Sequence, residues 1–173
     1  MRIRLGGPAD IPAVLALGDE AVEWMNERGN TQQWGTEPWT GNEKREATVR
    51  DRAQGDGMRI IEDATGQVLG ALVITETPQP YVPQAGEREL YVNLLLVSRR
   101  HRGRGIGAAL IDRAKQEADE RGIDLLRVDC WAGEEGSLVR VYEGYGFSRV
   151  QEFTVPTPAG DWPGMLLALR RAG

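Results

Sequence analysis

The chain has 173 residues, 40% of them apolar and 27% charged, which suits one compact domain with a buried core rather than a disordered segment. A net charge of −5 disfavours nucleic acid as a partner, and no apolar run approaches the ~20 residues of a membrane-spanning helix. The only cysteine, Cys130, excludes an intramolecular disulfide and a thiolate zinc site, and the single histidine, His101, makes a histidine-rich metal site unexpected.

Alternation at Met1, Ile3 and Leu5, with Arg2 and Arg4 between them, predicts a first strand with one wet face. This start lacks the apolar core of a signal peptide, so a cytoplasmic location is expected. Gly6-Gly7-Pro8 breaks the strand, Asp10 is placed to cap a helix, and Pro12 is tolerated in its first turn. Ile11, Val14, Leu15, Val22 and Met25 follow helical spacing as far as Arg28-Gly29-Asn30. Residues 32–41 form a loop carrying Trp34 and Trp39, and 42–54 a short polar helix. Residues 58–62 and 68–75 read as strands around a turn at 63–66, and the Pro-rich stretch 78–86 as an exposed loop.

Residues 90–97 are apolar almost throughout and predict a central strand covered on both faces. A glycine-rich turn leads into a helix over 106–121, capped by Gly122, and then a strand over 123–131. Leu138, Val141, Tyr142 and Tyr145 form one helical stripe stopped by Gly146. Two closing strands, 147–155 and 165–170, flank a turn at 156–164. The order β-α-α-β-β-β-α-β-α-β-β, without repeats or linker, predicts a single domain over 1–173 of the α/β (α+β) class, a mixed sheet with helices on both faces.

Arg99, Arg100, Arg102 and Arg104 cluster at the turn on an otherwise acidic chain, which suggests a compact polyanion as ligand. A helix N-terminus leaves backbone N–H groups unpaired and carries partial positive charge. Glycines at 103, 105 and 107 let those groups close on an anion, and the arginines add charge-assisted bonds, a combination suited to a diphosphate. The plainer reading is a tight Gly-rich turn on a solvated edge. The Rossmann spacing G-x-G-x-x-G fails here, because Ala108 and Ala109 follow Gly107, and no Gly-Lys-Ser or Gly-Lys-Thr marks a nucleotide P-loop.

Val97, then R-x-x-G-x-G (Arg102, Gly105, Gly107) and Ala-Ala-Leu, resembles the acyl-CoA-binding motif of the GNAT superfamily of N-acetyltransferases. Downstream, Tyr142-Glu143-Gly144-Tyr145-Gly146-Phe147 is similar to that family's Y-x-x-x-G-F, and the element order matches over essentially the whole chain. The resemblance implies a GNAT-like fold with a mixed, mostly antiparallel central sheet, and acetyl-CoA (coenzyme A) as cosubstrate without a metal. It implies pyrophosphate binding by Arg102, Gly103, Arg104, Gly105, Ile106, Gly107 and Ala108, and main-chain pairing of the pantetheine arm with Leu95, Leu96 and Val97. The Val97 amide would face the thioester oxygen.

Tyr142 is implied as the proton donor to the leaving thiolate, although its place on an apolar stripe also suits simple packing. The attacking amine must lose a proton to a base. Relatives often carry Glu where this chain has Asn93, and Asn cannot act as a base. Alternation from Val97 places Leu95, Asn93, Tyr91 and Glu89 on one face, so Glu89 is the nearest carboxylate there, or else a solvated strand-end charge. Asp129 on the next strand is a weaker candidate. Where relatives carry an Asn before the last helix, this chain has Ser137, expected as a cap.

The acceptor is expected among Trp34, Trp39, Tyr91 and Asn93, with Glu37 completing a cage for an alkylammonium group, or with the tryptophans merely stapling their loop to the core. Tyr81 and Trp162 are further candidates. The implied reaction is direct transfer of an acetyl group to a primary amine of a small molecule, by a monomer or homodimer that uses neither nucleic acid nor membrane. The alternatives are a protein or peptide N-acetyltransferase, or a non-catalytic CoA-binding or sensing module.

Overall fold

Among residues 1–171, which the computed structural model describes, the elements run β1 (Arg2–Leu5), α1 (Ile11–Glu27), α2 (Glu43–Gln54), β2 (Met58–Glu62), β3 (Val68–Thr75), β4 (Glu89–Val97), α3 (Ile106–Glu120), β5 (Leu125–Trp131), α4 (Ser137–Gly144), β6 (Ser148–Thr157) and β7 (Gly160–Arg170). The strand order is β1-β2-β3-β4-β5-β7-β6. β4 and β5 pair in parallel, while β1/β2, β2/β3, β5/β7 and β6/β7 are antiparallel, giving the mixed, mostly antiparallel sheet that the element order implied. The packing divides the chain into two compact units. Met1–Val73 with Leu94–Leu110 form the first, and Ile74–Asn93 with the residues from Ile111 onward form the second.

In the first unit, α1 and α2 lay Val14, Leu15, Leu17, Val22, Val49 and Ala53 onto Met58, Ile60, Ala71, Val73 and Leu96. The other face of β3 is cut away at Gly70. A Cβ there would stand 2.8 Å from the Leu96 carbonyl oxygen and 3.1 Å from Ile106, so glycine lets the first turn of α3 close on the sheet. Helices therefore cover both faces of this part of the sheet.

Two expectations fail at the N-terminal edge. Met1 and Leu5 are exposed, at 60% and 66%, so only Ile3 of the apolar face of β1 is even half-buried. The strand is held through its polar positions, with Arg2 and Arg4 both binding Glu62 across the β1/β2 pair. Asp10 does not cap α1. Arg4 donates to its two carboxylate oxygens at 2.8 and 3.1 Å and the Gly7 amide at 2.9 Å, and the guanidinium holds this carboxyl below the ordinary Asp value. A paired guanidinium outcompetes a cap because its hydrogen bonds are charge-assisted.

In the second unit, α4 packs on β5 and β6, and β7 lies between β5 and β6. The closing hairpin is longer than its prolines suggest: β7 begins at Gly160, and Thr157↔Gly160 and Thr154↔Pro163 are paired. β5 reaches only as far as Gly164, so Pro163 has no ladder N–H to give on that side, and its carbonyl accepts the Ala132 amide at 3.0 Å.

Candidate active site

The Arg-Gly turn lies in the first unit. β4 ends at Val97, and the Ser98 amide donates to the Leu69 carbonyl at 2.8 Å. Gly103 and Gly105 take φ of +78° and +72°, a region costly for any residue with a Cβ. The first helical bond of α3 runs from the Ala109 amide to the Gly105 carbonyl at 3.0 Å, so the amides of 105–108 stand ahead of the ladder. A Cβ added at Gly103 or Gly105 would meet nothing within 4 Å, which leaves the approach to those amides open. Arg102, Gly103, Arg104, Gly105 and Ala108 are exposed, whereas Ile106 and Gly107 are buried. Leu96 is only 2% exposed, with Leu95 and Val97 half-buried beside it. These donors and charges fit a CoA pyrophosphate.

Sequence reasoning missed what braces this turn. Glu20 and Trp24 lie four residues apart on one face of α1, and Arg28 follows four residues on, just past its end. Glu20 accepts the Arg100 amide at 2.9 Å and the Ser98 hydroxyl at 3.0 Å. Trp24 carries the guanidinium of Arg99 at 3.8 Å from its ring centroid, with Arg28 at 4.3 Å and Arg102 at 5.6 Å. Stacking on an aromatic face gathers these like charges at low cost.

Tyr142 lies in the second unit on α4, 7% exposed, with Tyr145 and Phe147 edge-on to its ring at 5.9 Å each. Its place follows from how the helix stops. The Phe147 amide donates to the Tyr142 carbonyl at 3.2 Å and the Gly146 amide to Glu143 at 3.0 Å, with Gly146 at φ +107°. This is a Schellman closure, and the Phe147–Tyr142 ring contact is its usual apolar clasp. The spacing Tyr-x-x-x-Gly-Phe is thus a stop signal that fixes the tyrosine. Burial, with the nearby Cys130, Tyr145 and Asp129, raises the Tyr142 hydroxyl well above its ordinary pKa, so it stays protonated at neutral pH. Burial also pushes the Cys130 thiol up to about 12, unlike an activated nucleophile.

Glu89 is neither solvated nor free to act as a base. It is 4% exposed, and Arg127 Nη2 donates to both of its oxygens at 2.8 and 3.0 Å. Tyr91, expected against the acceptor, is fully buried in a cluster with Val82 and Leu166. Its hydroxyl donates to Asp129 at 2.6 Å, and the Tyr81 hydroxyl donates to the other Asp129 oxygen at 2.9 Å. Asn93 is also committed. Its amide nitrogen donates to Thr75 at 2.6 Å and its oxygen accepts from Gln79 at 3.1 Å, tying down the segment after β3.

The two tryptophans expected to cage the acceptor come together around a cation of the chain itself. Trp34 and Trp39 have ring centroids 5.1 Å apart, and Arg45 lies 4.9 Å from Trp39 and 5.9 Å from Trp34. Trp39 is 3% exposed and covers Gly18, where a Cβ would stand 2.2 Å from the indole. The pair staples its loop to the first core.

The turn before α4 stores strain. Glu134 and Glu135 have φ of +51° and +58°, and Gly136 caps α4 while Ser137 is its first residue and caps nothing. Relieving a left-handed non-glycine residue offsets the flexibility glycine adds, so Glu135→Gly should raise stability by about 0.5–1 kcal/mol, read from urea denaturation. A loss would mean that this conformation is not strained.

The model of the Acetyltransferase (GNAT) family matches residues 19–147, which takes in both the Arg-Gly turn and the Tyr142–Phe147 closure. The chain belongs to the GNAT acetyltransferase family. This makes it an acyl-CoA-dependent N-acyltransferase. Among curated proteins this GNAT chain is similar to the L-methionine sulfoximine/L-methionine sulfone acetyltransferase of Pseudomonas aeruginosa, 28% identical over 137 residues, 79% of this chain and 74% of the relative. Its fold is that of the ribosomal-protein-alanine N-acetyltransferase from Brucella melitensis (TM-score 0.70, 24% identity, 98% and 99% of the two chains). It is equally that of yncA from Salmonella typhimurium, solved with its cofactor acetyl-CoA (TM-score 0.69, 19% identity, 100% and 95%). Among the described residues of this GNAT protein, no group of three or more His, Cys, Asp or Glu side chains could hold a metal ion, and no helix is long and apolar enough to cross a membrane.

Proposed function

We propose that this GNAT protein is a single domain that transfers an acetyl group from acetyl-CoA to the primary amine of a small molecule, by direct attack. The observation that carries the donor is the turn at 102–108, with its left-handed glycines and its amides ahead of the α3 ladder. Support for a small acceptor comes from the Pseudomonas relative, whose name specifies an amino-acid analogue. Acetyl-CoA supplies the activated acyl group; the chain binds it, takes a proton from the amine and returns one to sulfur.

The test is thiol release from acetyl-CoA with a panel of L-methionine sulfoximine, phenethylamine, spermidine and an alanyl peptide. Turnover with one or more of the first three supports the reading. Turnover with the peptide alone moves the acceptor to a protein N-terminus, and CoA binding without any turnover favours a sensing module. Tyr142 serves as the proton donor to the thiolate, so Tyr142→Phe should lower kcat by about 100-fold, the scale of a lost general acid, with acetyl-CoA affinity unchanged. An unaltered kcat would return Tyr142 to a packing role.

A further inference from the structure

We propose that Asp129 is the group that receives the acceptor's ammonium and takes its proton, and that Tyr81, Phe153 and Trp162 wall the apolar arm of that amine. This rests on the acetyltransferase reading and adds the residue and the chemical class of acceptor. The carboxylate lies on β5 with one oxygen held by Tyr91 at 2.6 Å and the other by Tyr81 at 2.9 Å. Both donors are phenols. Among the described residues Asp129 has no cationic partner, whereas Glu89, buried at the start of β4, is satisfied by Arg127. A half-buried carboxylate without a countercharge is costly, and two neutral donors offset only part of that cost. An arriving ammonium supplies the missing charge.

The surroundings agree. Tyr91 is fully buried, so it is a positioning residue that aims the carboxylate, while Tyr81 is 44% exposed and marks the side from which a ligand reaches it. The Tyr81 ring lies 5.6 Å from Phe153, which lies 6.4 Å from Trp162, a row of aromatic faces suited to an apolar or aryl substituent and to a cation beside it. Burial raises Asp129 above its ordinary pKa, against the two phenol hydrogen bonds, which moves a carboxylate toward useful basicity. Its charge is felt at Tyr142, so the expected base and acid share one electrostatic neighbourhood.

The step balances as follows. The ammonium gives one proton to Asp129, and the freed lone pair forms a bond to the thioester carbonyl carbon as the carbon–sulfur bond breaks. Tyr142 protonates the sulfur and regains a proton from the amide nitrogen. The proton on Asp129 passes to solvent, leaving an amide, a thiol and one proton.

The experiment compares the wild type with Asp129→Asn, using the fastest amine of the panel and methoxyamine, which is already neutral at pH 7. Loss of a general base should slow the basic amine by about 100-fold or more but methoxyamine by less than about tenfold, with acetyl-CoA affinity unchanged. With free CoA present, so that no transfer occurs, the calorimetric Kd of phenethylammonium should weaken about tenfold or more on loss of its ion-pair partner. Equal losses with both amines, or a basic-amine rate within fivefold of wild type, overturn the assignment. Should Asp129→Asn fold poorly, Tyr81→Phe tests the same point from the exposed side: the KM of the amine should rise threefold or more while that of acetyl-CoA stays put, and an unchanged amine KM overturns it. A wild type inactive on every amine sinks the acetyltransferase reading itself, whereas an active wild type with an equally active Asp129→Asn sinks only this one.

Discussion

Gly105→Glu should weaken acetyl-CoA binding by about 100-fold while lowering the melting temperature by only a few degrees. At an effective dielectric of about 20, two unit charges roughly 4 Å apart repel by about 4 kcal/mol, or nearly a thousandfold in affinity. The turn is exposed, and screening brings the expected loss down to about a hundredfold. The stability terms oppose each other. A side chain at φ +72° costs about 1–2 kcal/mol, but a carboxylate at the head of α3 returns about 0.3–1 kcal/mol through the helix dipole. Gly105→Ala is the control, since it carries the same strain without the charge and should keep most of the affinity. Equilibrium titration with acetyl-CoA reads both variants. If Gly105→Glu binds as wild type does, the diphosphate does not sit on these amides.

The second large effect is expected at Arg127. Removing it alone, as Arg127→Met, leaves the Glu89 carboxylate 4% exposed and without its partner, a change that typically costs about 3–5 kcal/mol. The pair itself is worth far less than that figure. Arg127 Nε is buried without a hydrogen-bond acceptor, so its own desolvation is incompletely repaid. The double variant Glu89→Leu with Arg127→Met should therefore recover most of the lost stability in urea denaturation. Folded Glu89→Gln protein should keep most of its turnover, because this carboxylate is bound in the ion pair. A double variant as unstable as the single, or a Glu89→Gln protein that folds fully but is inactive, would restore Glu89 as the candidate base.

The glycine turn and the tyrosine closure were legible in the sequence because each depends on residues close in the chain. Left-handed φ at Gly103 and Gly105, and the six-residue span from Tyr142 to Phe147, are local chemistry. What failed depends on register. Glu89 meets Arg127, and Tyr91 meets Asp129, only because β4 and β5 are parallel with Tyr91 opposite Arg127 and Val92 opposite Val128, and nothing within either strand encodes that alignment. The aromatic loop misled for a similar reason. Trp34 and Trp39 do form a cation site, but Arg45 arrives from the start of α2 to fill it. Asp129 did leave a trace, as an acidic side chain in the otherwise apolar stretch Val128-Asp129-Cys130-Trp131.

The way α4 stops divides the protein into places where its length can and cannot change. Residues added at the exposed Glu134 and Glu135, ahead of the Gly136 cap, lengthen the approach to the helix and leave the hydroxyl of Tyr142 where the closure puts it. One residue inserted between Tyr142 and Phe147 does the opposite, turning the phenol about 100° around the helix axis and removing the ring that clasps it. The distance from helix stop to Tyr142 is thus set by a folding signal, and a designer can retune the entrance to this helix but not its exit.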